Sequence, residues 1–80
     1  MITVYVLKNK INEEHYTGIS SDPTRRLHEH NNGKNRFTKA FMPWHIVYTE
    51  VQPDFLNARK REKYLKSGAG RRWLKKEHNI

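Results

Sequence analysis

The first part of the chain alternates apolar and polar residues in the way that a half-buried β-strand requires. The stretch ITVYVLK is rich in β-branched and aromatic residues and predicts a strand over Ile2–Lys8. A polar turn separates it from HYTGIS, residues 15–20, which predicts a second short strand and hence an antiparallel hairpin. The stretch WHIVYTE, Trp44–Glu50, predicts a third strand.

Capping residues mark the start of the first helix. Asp22 can accept hydrogen bonds from the free backbone N–H groups of a first helical turn, and Pro23 fits the first helical position. The sequence Asn31-Asn32-Gly33 ends this helix with residues that tolerate a positive φ. Residues 34–43 follow neither a helical nor a strand period, and they predict a loop or one irregular helical turn.

The C-terminal part of the chain predicts helices. Gln52-Pro53-Asp54 opens a second helix that runs to about Lys66. Ser67-Gly68-Ala69-Gly70 is expected to break it, and RRWLKKEH predicts a short basic terminal helix. The order ββα-βα(α) indicates an α+β fold, with a three-stranded, mostly antiparallel sheet flanked by helices. Eighty residues form a single domain, residues 1–80, with a small core.

The charge of the chain points to an anionic partner. Sixteen Lys and Arg residues against eight Asp and Glu residues give a net charge of +8, and the excess is concentrated from Phe55 onward. Nucleic acid is the first expectation, and a solvated surface that only aids solubility is the alternative. The chain has no cysteine, which excludes disulfides and thiolate metal sites. No apolar run approaches the roughly 20 residues of a membrane span, and a cytoplasmic location is expected.

One acidic residue lies on the apolar stripe of the second predicted helix. The apolar residues of this stripe, which is expected to face the sheet, are Phe55, Ala58 and Leu65. Glu62 falls within the same arc, and a buried carboxylate costs free energy unless it is paired or holds a cation. Glu62 is therefore either a ligand for a divalent metal ion or the partner of Arg26 or Arg61.

The first predicted helix carries an arginine and a histidine on one face. Arg26 and His30 are four residues apart, which suits contact with a phosphate and transfer of a proton. For His30, a solvated surface position is the alternative. His28 lies two residues from His30, on a distant part of the helix surface, so the sequence HEH does not predict a zinc site.

The spacing of these residues resembles that of the GIY-YIG nuclease family, in particular its small single-domain bacterial members. The two tripeptides that name the family correspond to Thr3-Val4-Tyr5 and Tyr16-Thr17-Gly18, with ten residues between them. The family's arginine, ten residues past the second tyrosine, corresponds to Arg26, and a histidine of some members corresponds to His30. The family's metal-binding glutamate corresponds to Glu62, within ARKREKYLK.

A few positions depart from the family pattern. Thr3 stands in place of the first glycine, Thr17 occupies the middle of the second tripeptide, and Ile19 stands where the excision-repair relatives have a basic residue. An asparagine of the larger members has no clear counterpart. These departures bear on catalytic efficiency more than on the fold.

The resemblance implies a metal-dependent phosphodiester hydrolase. Glu62 would hold one Mg²⁺ or Mn²⁺ ion, and Arg26 would place its guanidinium on the phosphate oxygens. Tyr5 or Tyr16 would take a proton from the attacking water, and His30 could receive it. A phenol with an ordinary pKa near 10 is a poor base at neutral pH, so nearby positive charge must lower it.

The other cations are expected to bind the substrate. The candidates for nucleic-acid contact are Lys34, Arg36, Lys39, Arg71, Arg72, Lys75 and Lys76. Trp73 is interpreted as a core anchor of the terminal helix rather than a base-stacking platform.

The sequence thus predicts a metal-dependent DNA endonuclease, guided by DNA structure rather than by sequence and active as a monomer. The kinship with excision-repair nucleases suggests DNA repair as its setting. A nucleic-acid-binding module of the same fold that cleaves weakly or not at all is the alternative, and a basic RNA-associated protein is the third interpretation.

Overall fold

The protein folds into a three-stranded antiparallel sheet with helices on both of its faces. The computed structural model describes residues 1–11, 14–34 and 42–80. The elements, in chain order, are β1 Ile2–Asn9, β2 His15–Ser20, α1 Pro23–Asn31, β3 Trp44–Gln52, α2 Phe55–Lys66 and α3 Gly68–His78. This order confirms the predicted α+β fold and the hairpin of its first two strands.

Strand β1 lies at the centre of the sheet, between β2 and β3. It pairs antiparallel with both neighbours, and its register with β2 places Tyr5 opposite Gly18. The β1–β3 pairing shifts register between Val6 and Leu7. As the strand with a neighbour on each side, β1 holds four consecutive buried residues, 4–7.

The side chains of β1 alternate between two separate clusters, because successive residues of a strand point to opposite faces. On one face, Tyr5 and Leu7 pack with Trp44, and Leu27 of α1 covers this cluster. The cluster on the other face joins β1 to α2 and α3, and consists of Val4, Val6, Ala58, Leu65 and Leu74. The sheet is therefore the middle of three layers.

The helix starts are capped as the sequence predicts. The Asp22 carboxylate accepts a hydrogen bond from the Arg25 N–H at 3.1 Å, and Pro23 is the first residue of α1. The Asp54 carboxylate accepts one from the Asn57 N–H at 2.8 Å at the start of α2. Each bond satisfies a donor that the first turn of a helix leaves free.

The terminal helix is longer than predicted. A break over residues 67–70 is expected from the sequence, but only Ser67 separates α2 from α3. Ser67 ends α2, and its side chain then accepts a hydrogen bond from the Gly70 N–H at 3.2 Å and so caps α3. A Cβ at Gly70 would lie 2.6 Å from the Leu65 Cα and would overlap the Tyr64 carbonyl. This glycine allows α3 to cross closely over the end of α2 rather than interrupting a helix.

One residue of the predicted apolar stripe of α2 does not face the sheet. Ala58 and Leu65 are buried with Glu62, as predicted, but Phe55 is 59% exposed. Phe55 is the first residue of the helix, where the chain has only just left the end of β3. The helical wheel gives the direction of a side chain but not whether the sheet extends beneath it. Among the described helices, none is long and apolar enough to cross a membrane.

Candidate active site

Four of the predicted site residues meet on the face of the sheet that α1 covers. The Tyr5 hydroxyl lies 3.3 Å from Nε2 of His30. The rings of Tyr16 and His30 are 4.7 Å apart, and those of Tyr5 and Tyr16 are 6.4 Å apart. Arg26 forms a hydrogen bond with Tyr5. The residues of one hairpin and one helix thus form a single polar cluster.

The register of the hairpin positions the Tyr5 ring. Gly18 lies directly opposite Tyr5 on β2, and a Cβ at this position would lie 2.6 Å from the Tyr5 hydroxyl oxygen. The same Cβ would come within 3.1 Å of the Tyr16 ring. The ring of Tyr5 therefore crosses over β2 only because residue 18 has no side chain.

The geometry of α1 brings Arg26 and His30 to the same cluster. The two residues are four positions apart and lie on one side of the helix, as the sequence predicts. His30 is almost fully buried, whereas the Arg26 side chain is 37% exposed and donates a 2.8 Å hydrogen bond to Glu29. The guanidinium thus spans from the buried tyrosine to the solvent, where a phosphate can approach it.

Burial and the charge of Arg26 shift the pKa of Tyr5 in opposite directions. Burial raises the pKa of Tyr5, and the nearby Tyr16 and Glu62 raise it further, whereas the hydrogen bond and the charge of Arg26 lower it. The net pKa lies above the ordinary value, so the hydroxyl is protonated at neutral pH. Arg26 supplies the positive charge that the sequence predicts, but burial outweighs it.

The pKa of His30 is shifted in the opposite direction from that of Tyr5. Burial and the charge of Arg26 lower the pKa of His30, against a smaller effect of Glu29. The imidazole is therefore neutral at neutral pH, and its Nε2 can accept the hydrogen bond that the Tyr5 hydroxyl donates. The hydrogen bond with Tyr5 raises the pKa of Arg26, which stays charged. The cluster holds a fixed cation, a protonated phenol and a neutral base.

Glu62 belongs to the helix layer on the opposite face of the sheet from α1. It lies on α2, which packs on β1 and β2, and it is 7% exposed. Its charge contributes to the raised pKa of Tyr5, whereas the other four residues are linked by direct contacts. The predicted burial of this carboxylate is confirmed, and its membership in one site with the tyrosines stays a prediction.

The partners of Glu62 differ from those considered from the sequence. One carboxylate oxygen accepts a 3.2 Å hydrogen bond from Arg59 and the other a 3.0 Å hydrogen bond from Lys66, both on α2. The two expected partners bind elsewhere, since Arg26 pairs with Glu29 and Arg61 pairs with Glu50. Residues three or four positions apart lie next to each other on a helix, so Glu62 pairs with these neighbours on α2.

The residues at this site fit a hard divalent cation held by a single carboxylate. Within residues 1–11, 14–34 and 42–80, no three His, Cys, Asp or Glu side chains are grouped as a metal site. Mg²⁺ is commonly held by one or two carboxylates, with water and substrate phosphates as the other ligands. Glu62 can supply that carboxylate once Arg59 and Lys66, both more than half exposed, turn away.

Comparison with known proteins places this arrangement in a family. Residues 1–77 match the family described as the GIY-YIG catalytic domain. The chain belongs to the GIY-YIG family. This is a family of nucleases, and the structure gives its two tripeptides a physical meaning: the tyrosine that ends the first, Tyr5, faces the glycine that ends the second, Gly18.

Similar proteins are found among the staphylococci. A UPF0213 protein of Staphylococcus saprophyticus is 34% identical over 73 residues, which cover 90% of this chain and 88% of that protein. A UPF0213 protein of Staphylococcus aureus strain N315 is 38% identical over 53 residues. This chain spans 65% of the length of the S. aureus relatives that it matches. No solved structure matches the chain.

The remaining predictions are distributed over the surface of this GIY-YIG domain. Arg25 and His28 are exposed, and Glu29 pairs with Arg26. The predicted nucleic-acid contacts Lys34, Arg71, Arg72, Lys75 and Lys76 are all exposed. Arg36 and Lys39 lie outside the described residues.

Two contributors to the site carry no role in the sequence prediction. Gly18 makes room for the Tyr5 ring, and Lys66 holds a carboxylate oxygen of Glu62. The hairpin register, which places residue 18 opposite residue 5, is the signal for the first. The spacing of four residues between Glu62 and Lys66 is the signal for the second.

Proposed function

We propose that this GIY-YIG domain is a metal-dependent endonuclease that hydrolyses phosphodiester bonds of DNA, guided by DNA structure rather than by sequence. The observation that carries the proposal is the cluster of Tyr5, Tyr16, Arg26 and His30, together with the buried Glu62, whose charge acts on the pKa of Tyr5. These groups supply the functions that phosphodiester hydrolysis requires: a proton acceptor, a cation for the phosphate and a carboxylate ligand.

Proton transfer is best explained by a relay from Tyr5 to His30. The Tyr5 hydroxyl gives its proton to Nε2 of the neutral His30 while it takes a proton from the attacking water. Because the two transfers occur together, Tyr5 does not have to exist as a phenolate, and its raised pKa is no obstacle. Of the two candidate tyrosines, Tyr5 is therefore favoured as the group that faces the water, and Tyr16 packs against the imidazole.

Arg26 and Glu62 serve the phosphate. The guanidinium of Arg26 has five N–H donors, so it can bind phosphate oxygens while it holds Tyr5 and Glu29. Glu62 would hold Mg²⁺ or Mn²⁺, which would neutralise the negative charge that builds up on the phosphate and the leaving oxygen. Arg59 and Lys66 hold the carboxylate of Glu62 in place through ion pairs until then.

The test is nicking of branched, gapped and single-stranded DNA in the presence of Mg²⁺ or Mn²⁺. Arg26→Ala and Glu62→Gln should each lower the rate by a factor of about 10²–10³ or more, while DNA binding survives. Glu77→Gln, which removes the charge of an exposed glutamate on α3, is the matched control and should leave the rate unchanged. Equal nicking by Glu62→Gln and the wild type would contradict the proposal.

A binding module without efficient cleavage is the second candidate. It is favoured by one observation, which is that both carboxylate oxygens of Glu62 already have cationic partners. In that case the wild type binds DNA with a steep dependence on salt but leaves every substrate intact. A binding preference for RNA that does not change in Glu62→Ala would instead support the RNA-associated interpretation. A role in DNA repair and a cytoplasmic location stay predictions.

A further inference from the structure

A basic groove runs between the β1–β2 hairpin and α3, on the side of the sheet opposite α1. Its main part is a cavity of about 470 Å³ with Lys8 and His15 on the hairpin side and Arg71 and Lys75 on the α3 side. The buried Leu74 lies at its base. None of the described residues that line this cavity is acidic.

This groove continues to the candidate active site. A second cavity of about 270 Å³ shares His15 and Arg71 with the first and extends to Tyr16 and Lys66. Tyr16 packs against His30, and Lys66 binds the Glu62 carboxylate at 3.0 Å. A ligand lying along the basic groove would therefore reach the edge strand β2 at Tyr16 and the lysine that pairs with Glu62.

The arrangement of the cations suits a chain of phosphates rather than a single anion. Lys8, Lys66, Arg71 and Lys75 come from three different elements and are spread along two adjoining cavities. A free phosphate or a single nucleotide would occupy only one part of the groove and contact only some of these cations. A nucleic-acid backbone carries a phosphate at every nucleotide and can contact several of them at once.

The groove also divides the basic residues of α3 into two groups. Arg71 and Lys75 are four residues apart, share one face of the helix and line the groove. Arg72 and Lys76 have the same spacing but lie one residue further along, which turns them about 100° away, and neither lines the two cavities. The sequence assigns all four residues to one patch, and the structure separates them.

We propose that the basic groove binds the phosphate backbone of the substrate strand next to the cleaved bond, through Lys8, Arg71 and Lys75, and that Arg72 and Lys76 take no part. This inference rests on the proposed nuclease function and adds the path of the substrate. The groove leads the strand along the hairpin to Tyr16 on the edge strand β2, and Arg26 lies beyond this edge on the other face of the sheet.

The test compares two double variants of α3 with identical chemistry. Arg71→Ala/Lys75→Ala and Arg72→Ala/Lys76→Ala each remove one arginine and one lysine from exposed positions, so both lower the net charge from +8 to +6. Binding of a labelled single-stranded oligonucleotide is measured by fluorescence anisotropy in EDTA over a series of NaCl concentrations. Circular dichroism confirms that both variants are folded.

The groove variant, Arg71→Ala/Lys75→Ala, should bind the oligonucleotide about tenfold more weakly at moderate salt. Its slope of log K against log [NaCl] should also become shallower by roughly 1.4, because each lost phosphate contact on a single strand reduces the slope by about 0.7. The control variant should keep the wild-type slope and stay within about twofold in affinity. Lys8→Ala, on the other wall of the groove, should make this slope shallower by about 0.7. Equal losses in the two double variants would overturn the inference.

This outcome is separable from that of the proposed function, because binding in EDTA requires no cleavage. If the groove variant loses affinity but the wild type cleaves no substrate, the nuclease proposal fails and the binding path stands. If the wild type cleaves DNA but the two double variants bind equally, the binding path fails and the nuclease proposal stands.

Discussion

Gly18 is the residue on which the position of the Tyr5 ring depends. A methyl group at this position would lie 2.6 Å from the Tyr5 hydroxyl oxygen and 2.8 Å from its Cζ, so the ring would have to move. Overpacking of this kind costs about 1–3 kcal/mol. We expect Gly18→Ala to lower the free energy of unfolding by this amount and to abolish nicking, because the hydrogen bond between Tyr5 and His30 is lost. Urea unfolding and a nicking assay measure the two effects.

A second glycine provides the control for this substitution. At Gly68, the first residue of α3, a Cβ would meet only the end of the flexible Arg72 side chain, at 3.3 Å. Gly68→Ala should therefore change the stability by less than about 1 kcal/mol, in the stabilising direction if at all. If Gly18→Ala behaved like Gly68→Ala, the close approach of Tyr5 to β2 would not constrain the site.

His30 makes the stability of the fold depend on pH. Its pKa is lowered in the folded state, so between that value and the ordinary 6.5 the unfolded chain binds a proton that the folded chain does not. The free energy of unfolding should therefore be highest above pH 6.5 and fall as the pH drops below it. We expect His30→Gln, which keeps a hydrogen-bond acceptor for Tyr5, to show a smaller loss of stability between pH 7.5 and pH 5.5.

The exposed His28 supplies the comparison for this titration. His28→Gln should keep the full pH dependence of the wild type in urea unfolding, because this substitution leaves the buried imidazole of His30 and its contacts with Tyr5 and Tyr16 in place. A wild-type stability that does not change over this pH range would contradict the neutral, buried state of His30.

At the scale of elements, one side chain joins α2 to its neighbours. The Arg61 guanidinium donates to both carboxylate oxygens of Glu50 on β3, at 2.9 and 3.0 Å, and lies 4.7 Å from the centre of the Trp73 ring on α3. Burial would raise the pKa of Glu50, but hydrogen bonds from Tyr48, Gln52 and Arg61 and the charge of Arg61 hold it below the ordinary value. Arg61 therefore links three elements on the side away from the cluster of Tyr5 and His30.

Loss of this link should destabilise the fold without affecting the chemistry. Arg61→Ala leaves the Glu50 carboxylate, whose side chain is 19% exposed, without its cation, and should lower the free energy of unfolding by about 2 kcal/mol. Arg61→Lys keeps the charge but not the planar guanidinium, so an intermediate loss in the free energy of unfolding is expected. Urea unfolding tests both variants, and Lys60→Ala, at the adjacent exposed position, should stay within about 0.5 kcal/mol of the wild type.

Local signals explain why so much of the element order could be predicted from the sequence. Asp22, Pro23 and Asp54 cap helices through bonds to residues within three positions, so the helix starts follow from short stretches. The three strands follow from alternation, and β1 and β3 each extend one or two residues beyond the prediction. The candidate site residues, which are the tyrosines, Arg26, His30 and Glu62, could also be predicted, because the resemblance to the family pattern depends only on positions in the chain.

The errors concern contacts between elements. Gly70 was expected to break a helix, because a glycine-rich stretch has that effect in isolation, and its role appears only where α3 crosses α2. The exposure of Phe55 depends on where the sheet ends. Neither of these is encoded in a local pattern.

At the scale of the whole molecule, the net charge of +8 acts on both folding and binding. The molecule measures 28 × 26 × 17 Å. At 0.01 M salt the Debye length is about 30 Å, so most of its charges repel or attract one another, whereas at 0.15 M the length is about 8 Å and only neighbours interact. Because basic residues outnumber acidic ones two to one, repulsion dominates at low salt and opposes the compact state.

Raising NaCl from 0.01 to 0.15 M should therefore stabilise the protein while it weakens DNA binding. A gain on the order of 1 kcal/mol corresponds to a rise in Tm of about 4–8 °C for a domain of this size. The variant Arg72→Ala/Lys76→Ala, with a net charge of +6, should show a smaller rise, because it has less repulsion to screen. Thermal unfolding followed by circular dichroism measures Tm without DNA, and anisotropy measures the affinity. A Tm that falls with salt would mean instead that ion pairs such as Glu50–Arg61 outweigh the excess positive charge, since screening weakens attraction and repulsion alike.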